Sequence, residues 1–195
     1  MGDTTLKEVR RILSSRTPRT FDKLSLMSAG VLLLLYPKEE GYSIHLNRRT
    51  GRVEHHKGEI AFPGGGMDPV DVDVQATALR EAHEEIGVHP DDVDILGMLD
   101  QETTRSGFLI TPFVGTIPYP YEFLPSGAEV AEILEIPVSS LLNPSLTEPK
   151  EQWVDNELVR YRDYRYGEHL IFGATARILT KFLDLTSHLL RAKVT

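Results

Sequence analysis

Apolar positions fall into a few short blocks along the chain, and their spacing divides it into strands and helices. Residues 29–36, AGVLLLLY, form an almost unbroken apolar run. A run of this length bounded by polar residues predicts a buried strand, and it is too short to span a bilayer. Further strands are expected over 27–36 as a whole, 43–48, 60–62, 93–100 and 108–117, with turn residues between them. The alternating aromatics of 158–166 suggest a late strand. Spacings of three and four predict a short amphipathic helix over 6–14, a second helix over 73–86, and a packing helix over 172–190. A proline-containing linker follows the first of these through Pro18. The Pro-rich stretch 118–125 reads as a loop, and 132–142 as including a short helix interrupted by Pro137. Gly173 and Thr175 on the last helix read as close-packing positions. Strands mixed with helices that cover both faces imply a layered α/β architecture. One domain over 1–195 is expected, with 1–25 as an N-terminal helix and linker, and there are no internal repeats.

The helix over 73–86 carries the chemistry. Glu81 and Glu84 are spaced i,i+3 and Glu81 and Glu85 i,i+4, so all three carboxylates project from one face, with Arg80 beside them. Val74, Ala78, Leu79, Ala82 and Ile86 supply an apolar stripe on the other side. Three crowded anions call for a cation, and oxygen donors without thiolates suit a hard divalent ion, Mg2+ or Mn2+. Asp71 or Asp73 can cap the helix start and Gly87 can end it. Phe62-Pro63-Gly64-Gly65-Gly66 reads as a strand end followed by a tight, backbone-exposed turn, because three successive glycines are not expected to hold a regular element. That turn lets backbone approach a metal or a phosphate closely at Gly64 and Gly65. A Glu-rich helix face alone is more often merely solvated, and the glycine loop directly before it is what shifts the reading toward a site.

Composition narrows the partners. A formal net charge of −8 argues against nucleic acid, whose phosphates need a basic surface. Positive charge is instead local: Arg48, Arg49, Arg52 and Lys57 lie just before the glycine loop, with only Glu54 opposing them, and are candidate contacts to an anionic substrate. His55 and His56 in that run read as surface or hydrogen-bonding residues. The absence of cysteine removes disulfides and thiolate chemistry and fits a cytoplasmic protein. No membrane partner is expected, since no charged N-region with an apolar stretch opens the chain. The oligomeric state is left open, a homodimer included.

REAHEEIGV, residues 80–88, resembles the second half of the Nudix box: Arg-Glu, an apolar residue, any residue, Glu-Glu, any residue, Gly. The first half reads in two registers. Starting at Gly65 it reaches an acid at Asp71 with one residue too many before Arg80; starting at Gly66 it keeps the spacing but places Val72 where the acid belongs. Upstream, LNRRTGRVEHHKGEIAFPGG, residues 46–65, is similar to the signature of the coenzyme A diphosphatase branch of Nudix hydrolases. Leu46, Arg49, Gly58, Phe62, Pro63, Gly64 and Gly65 fit it, while His45, Asn47, Thr50 and Glu54 stand where the signature has Leu, Thr, Ser or Ala, and Arg. Further matches include residues 97–99, 111–115 and 172–177, so the resemblance covers roughly residues 28–185.

This resemblance implies an α/β/α sandwich with a mixed β-sheet and a metal-dependent diphosphatase. Metal would be held by Glu81, Glu84 and Glu85, with Arg80 orienting the box acids. The general base would be Glu81, or Glu129 in the polar loop before the short helix. It implies cleavage of coenzyme A or its acyl derivatives to 3′,5′-ADP and 4′-phosphopantetheine. The same chemistry on ADP-ribose, a dinucleoside polyphosphate or a damaged nucleotide is the alternative, and a non-catalytic binding module of the same fold stands further off.

Overall fold

The computed structural model describes residues 3–22, 25–39, 41–51, 58–154 and 157–191. Arg52 and Lys57, expected to contact substrate, lie outside the described residues, as do Glu54, His55 and His56. The apolar run becomes β1 (Met27–Lys38), flanked by β2 (Gly41–Arg49) and β7 (Phe108–Thr116). β1 runs antiparallel to β2 and parallel to β7, which makes the sheet mixed. The chain order along it is β3 (Ile60–Ala61), β2, β1, β7, β5 (Asp94–Met98). β4 (Gly64–Gly66) pairs with β1, β6 (Glu102–Thr103) with β7, and β8 (Val130–Pro137) with β2. A separate three-stranded antiparallel sheet follows the order β11 (His169–Ile171), β10 (Glu157–Tyr166), β9 (Thr147–Val154).

Alternation along β1 feeds two cores at once. Leu32, Leu34 and Tyr36 face Ala78, Ala82 and Ile86 of α2 (Val74–Ile86). Leu33 and Leu35 join Ile44 and Leu46 on the other face, where Val9 and Leu13 of α1 (Thr4–Ser14) and Ile178, Leu179 and Phe182 of α4 (Gly173–Leu190) cover them. Each of these leucines is fully buried, and each contributes roughly 1.5–3 kcal/mol by leaving water. The layering is α/β/α, as the resemblance implied.

Three expectations are corrected. The glycine run is not a free turn: Gly64, Gly65 and Gly66 pair as β4 with Val31, Gly30 and Ala29. Pairing to an existing strand overrides the weak intrinsic preference of glycine for extended structure. Residues 132–137 are strand, not helix, because alternate Leu134 and Ile136 enter the core while their backbone pairs with β2; the helix is confined to α3 (Val138–Leu141), which Pro137 caps instead of interrupting. β9 has no counterpart among the expected strands, since TEPKEQWV lacks apolar alternation; it is the edge of its sheet and carries Pro149, which an edge tolerates.

Gly30 sets how closely α2 lies on the sheet. A Cβ there would stand 2.3 Å from the Val74 carbonyl oxygen and 3.0 Å from the Ala78 nitrogen, both of them backbone. Gly30→Ala is therefore expected to destabilise the fold by about 2–3 kcal/mol, or roughly 4–10 °C in Tm, because the helix cannot yield as a side chain can. An unchanged melting temperature would mean that α2 does not rest on β1 this tightly.

Candidate active site

α2 begins and ends on local signals. The Asp73 side chain accepts from Ala76 N–H at 2.7 Å at the N-cap, and Gly87 closes the helix in the left-handed conformation, φ 73°, with its N–H donating to His83 C=O at 2.9 Å. Between these ends the three carboxylates sit at three depths. Glu84 is exposed, Glu81 half-buried, and Glu85 buried. Glu85 lies on the same turn as Ile86 and meets the end of β2, where Asn47 Nδ2 donates to its Oε2 at 3.0 Å and Arg49 Nη1 stands 3.8 Å from its Oε1.

Arg80 binds the site's loop to its helix. Its Nε and Nη2 donate to the two oxygens of Asp71 at 2.9 and 3.0 Å, a fork that suits a carboxylate. Its Nη1 lies 2.9 Å from both Glu81 Oε1 and Glu84 Oε2, and its Nη2 is 3.4 Å from the Gly66 carbonyl. The guanidinium holds the Asp71 carboxyl well below the usual range, and Asp71 in turn raises Arg80. This geometry resolves the register left open by the sequence: Asp71 is the acid that meets Arg80, and Val72 is 89% exposed.

Glu129 is brought to the same place by the loop after β7. Leu124 and Ser126 N–H groups donate to the last carbonyls of α2, Ile86 at 2.9 Å and Glu85 at 2.8 Å. Glu129 N–H donates to Ser126 C=O at 3.1 Å, and Thr50 N–H to Glu129 C=O at 2.8 Å. The Glu129 carboxylate is near enough to push up the pKa of both Glu81 and Glu85, though burial is the first cause in each.

Glu81, Glu84, Glu85 and Glu129, with Arg49, Gly64 and Gly65, line one groove of about 1040 Å³. Arg48 does not join them; its Nε donates to Glu132 at 2.9 Å. The far wall is not legible in the sequence: Lys150, Trp153 and Tyr161 come from the second sheet, and Trp153 is 71% exposed. Gly173 and Thr175, expected to be packing positions, line the groove at the start of α4, and a Cβ at Gly173 would meet nothing. That wall is assembled from segments far apart in the chain, so no local pattern announces it.

The donor set fits a hard divalent cation, since Glu81, Glu84 and Glu85 offer carboxylate oxygens with no sulfur among them. Gly65 fits as well: a Cβ there would fall 2.5 Å from the Glu81 carboxyl carbon, so only glycine leaves the carboxylate its place. Among the described residues no three His, Asp or Glu side chains are already gathered at ligating distances, and Arg80 is what two of these carboxylates meet.

Burial raises the Glu85 pKa to about 7, against the lowering effect of Arg49 and Asn47. The folded protein therefore holds a proton that the unfolded chain releases near 4.5, so the stabilisation is full below about pH 4.5 and is lost as pH rises through about 7. Metal-free protein is expected to lose roughly 3 kcal/mol across that window. Divalent ion should offset the loss, because it binds the ionised form. Urea melts from pH 5 to 8 test this; an identical slope in Glu85→Gln would sink the assignment.

Comparison with known proteins identifies the family. Residues 26–167 match the NUDIX domain family. The chain is 38% identical over 151 residues to the uncharacterized Nudix hydrolase NudL of Photorhabdus laumondii, covering 77% of this chain and 80% of that one. It is 30% identical over 174 residues to the peroxisomal coenzyme A diphosphatase NUDT7 of Mus musculus, covering 86% and 74%. In fold it is similar to a MutT/nudix family protein from Enterococcus faecalis, with a TM-score of 0.56 at 12% identity over 96% of this chain and 76% of that one. With this family match across most of its length, and with relatives of this identity and coverage named as Nudix hydrolases, the chain belongs to the Nudix hydrolase family.

Proposed function

We propose that this Nudix diphosphatase cleaves the diphosphate bond of coenzyme A or its acyl derivatives, releasing 3′,5′-ADP and 4′-phosphopantetheine. The observation that carries the reading is a carboxylate face lining a groove of about 1040 Å³, far larger than a diphosphate needs and suited to a substrate with two long arms. The relative named as a coenzyme A diphosphatase supports the choice of substrate. Glu81, Glu84 and Glu85 would hold Mg2+ or Mn2+, which when bound offsets the charge of the diphosphate and acidifies a water.

The chain's own residues do the rest. Glu81 accepts the proton of the attacking water; its burial raises its pKa and so favours proton uptake. Glu129, on the opposite loop of the same groove, is the second candidate for that role. Arg80 fixes Glu81 and Glu84 against the Asp71 loop. Arg49 brings positive charge to the diphosphate from the end of β2. Gly64 and Gly65 keep that side of the groove free of side chains, so backbone forms the wall beside the reacting bond.

The test is a substrate panel of coenzyme A, acetyl-coenzyme A, ADP-ribose, NADH and dinucleoside polyphosphates, compared by kcat/KM with Mg2+ and with Mn2+. Coenzyme A and its acyl forms should lead by an order of magnitude or more. A lead for ADP-ribose or a dinucleoside polyphosphate would keep the chemistry and overturn the substrate.

A further inference from the structure

β2 carries buried polar side chains where a sheet interior is ordinarily apolar. His45 is 0% exposed, Asn47 2% and Glu85 4%. His45 and Asn47 are two residues apart on one strand and so share a face, the face against which α2 lays Glu85. Asn47 Oδ1 stands 2.8 Å from His45 Nε2, and Asn47 Nδ2 3.0 Å from Glu85 Oε2.

Hydrogen-bond chemistry gives this string a direction. The Asn47 amide presents its nitrogen to Glu85 Oε2, the arrangement that a carboxylate holding a cation needs, since the ionised form can only accept. The amide oxygen is then left for His45, which must donate from Nε2. Burial keeps that imidazole neutral, pushing its pKa down to about 4, and the Phe123 ring packs on it with centroids 4.6 Å apart. A neutral histidine with its proton on Nε2 meets that end of the amide as a donor, which favours the oxygen there over the nitrogen. His45 and Asn47 are also two of the positions at which this chain departs from the coenzyme A diphosphatase signature.

We propose that Asn47 is a positioning residue for Glu85, its amide nitrogen fixing the carboxylate where it can hold a divalent cation, and that His45 fixes the orientation of that amide. The inference rests on the metal role of Glu85 in the function proposed above. Asn47 does not reach substrate; it acts through Glu85. Outer partners of this kind typically change metal affinity by about 10–100-fold.

The experiment is direct Mn2+ titration of the purified metal-free protein, by calorimetry or by the loss of the free-ion EPR signal, alongside steady-state kinetics on coenzyme A. Asn47→Leu and Asn47→Ser should each weaken Mn2+ binding about tenfold or more while leaving the KM for coenzyme A within twofold at saturating metal. His45→Gln, which retains an amide donor, should keep the native affinity, and His45→Leu should follow the Asn47 variants. Should Asn47→Leu fail to fold, the smaller polar Asn47→Ser carries the test. A purely structural role would lower the melting temperature and the active fraction without changing affinity per folded molecule. Native Mn2+ affinity in folded Asn47 variants, with affinity lost in Glu85→Gln, would overturn this inference alone. Native affinity in Glu85→Gln as well would remove the metal role of Glu85 and the inference with it.

Discussion

Glu84→Gln is expected to lower kcat by about 10²–10⁴-fold and to leave the fold in place. The two halves of that statement have different origins. Glu84 is exposed, and its described partner is Arg80 at 2.9 Å, so losing the pair costs about 0–1 kcal/mol of stability. Its carboxylate nonetheless belongs to the face that would hold the cation in the proposed function, where one lost anionic ligand would remove several kcal/mol from the stabilisation of the transition state. Arg80 keeps its fork to Asp71 and its contact with Glu81, so the loop remains anchored. Circular dichroism, thermal melts and initial rates on one preparation check it. Turnover within a few-fold of native would remove Glu84 from the site.

Gly65→Ala should separate activity from stability in the same way by a different route. The added Cβ would lie 2.5 Å from the Glu81 carboxyl carbon and 2.6 and 2.7 Å from its oxygens. These atoms end a flexible side chain, so the strain is relieved by swinging Glu81 aside at a cost of about 1 kcal/mol. The displaced carboxylate is then out of register with the reacting bond, and a misplacement of this size costs roughly 10²-fold in turnover. Gly66→Ala is the control: a Cβ there meets Phe108 Cε1 at 3.5 Å, an ordinary contact, and turnover should stay within several-fold of native. Equal losses in the two variants would mean that the glycine strand matters for its backbone alone and not for the room it leaves Glu81.

Long segments with one dominant period are legible in the amino-acid sequence alone. β1, β7, α2 and α4 each carry enough apolar residues at a single spacing to fix both type and extent within a few residues. Residues 132–142 are ambiguous for the opposite reason. Ile133, Leu134 and Ile136 suit a helix or a strand, and only the exposed edge of β2 decides between them. At the site, the helix spacing identifies the carboxylate face but not its depth. Glu85 is buried because Asn47 and Arg49 close over it from a strand nearly forty residues earlier, a contact no local pattern encodes. The choice between Asp71 and Val72 is likewise open in the sequence and needs the Arg80 fork to settle it.

The groove's far wall belongs to the same class of nonlocal feature. Trp153 and Tyr161 stand on a sheet that shares no strand with the one carrying α2, and they meet the carboxylates only across the open space between. Among the described residues no helix is long and apolar enough to cross a membrane. Trp153 is 71% exposed on the lining of that groove.

The decisive measurement is product analysis of coenzyme A hydrolysis in ¹⁸O-labelled water, with Mg2+ or Mn2+, by mass spectrometry, for the native protein and Glu84→Gln. Release of 3′,5′-ADP and 4′-phosphopantetheine in equal amounts, with one labelled oxygen entering one of the two, is the expected result. Chelator should abolish it, and Glu84→Gln should slow it by about 10²–10⁴-fold. Intact coenzyme A after prolonged incubation of folded, metal-supplied protein, or release that persists undiminished in chelator, would contradict it.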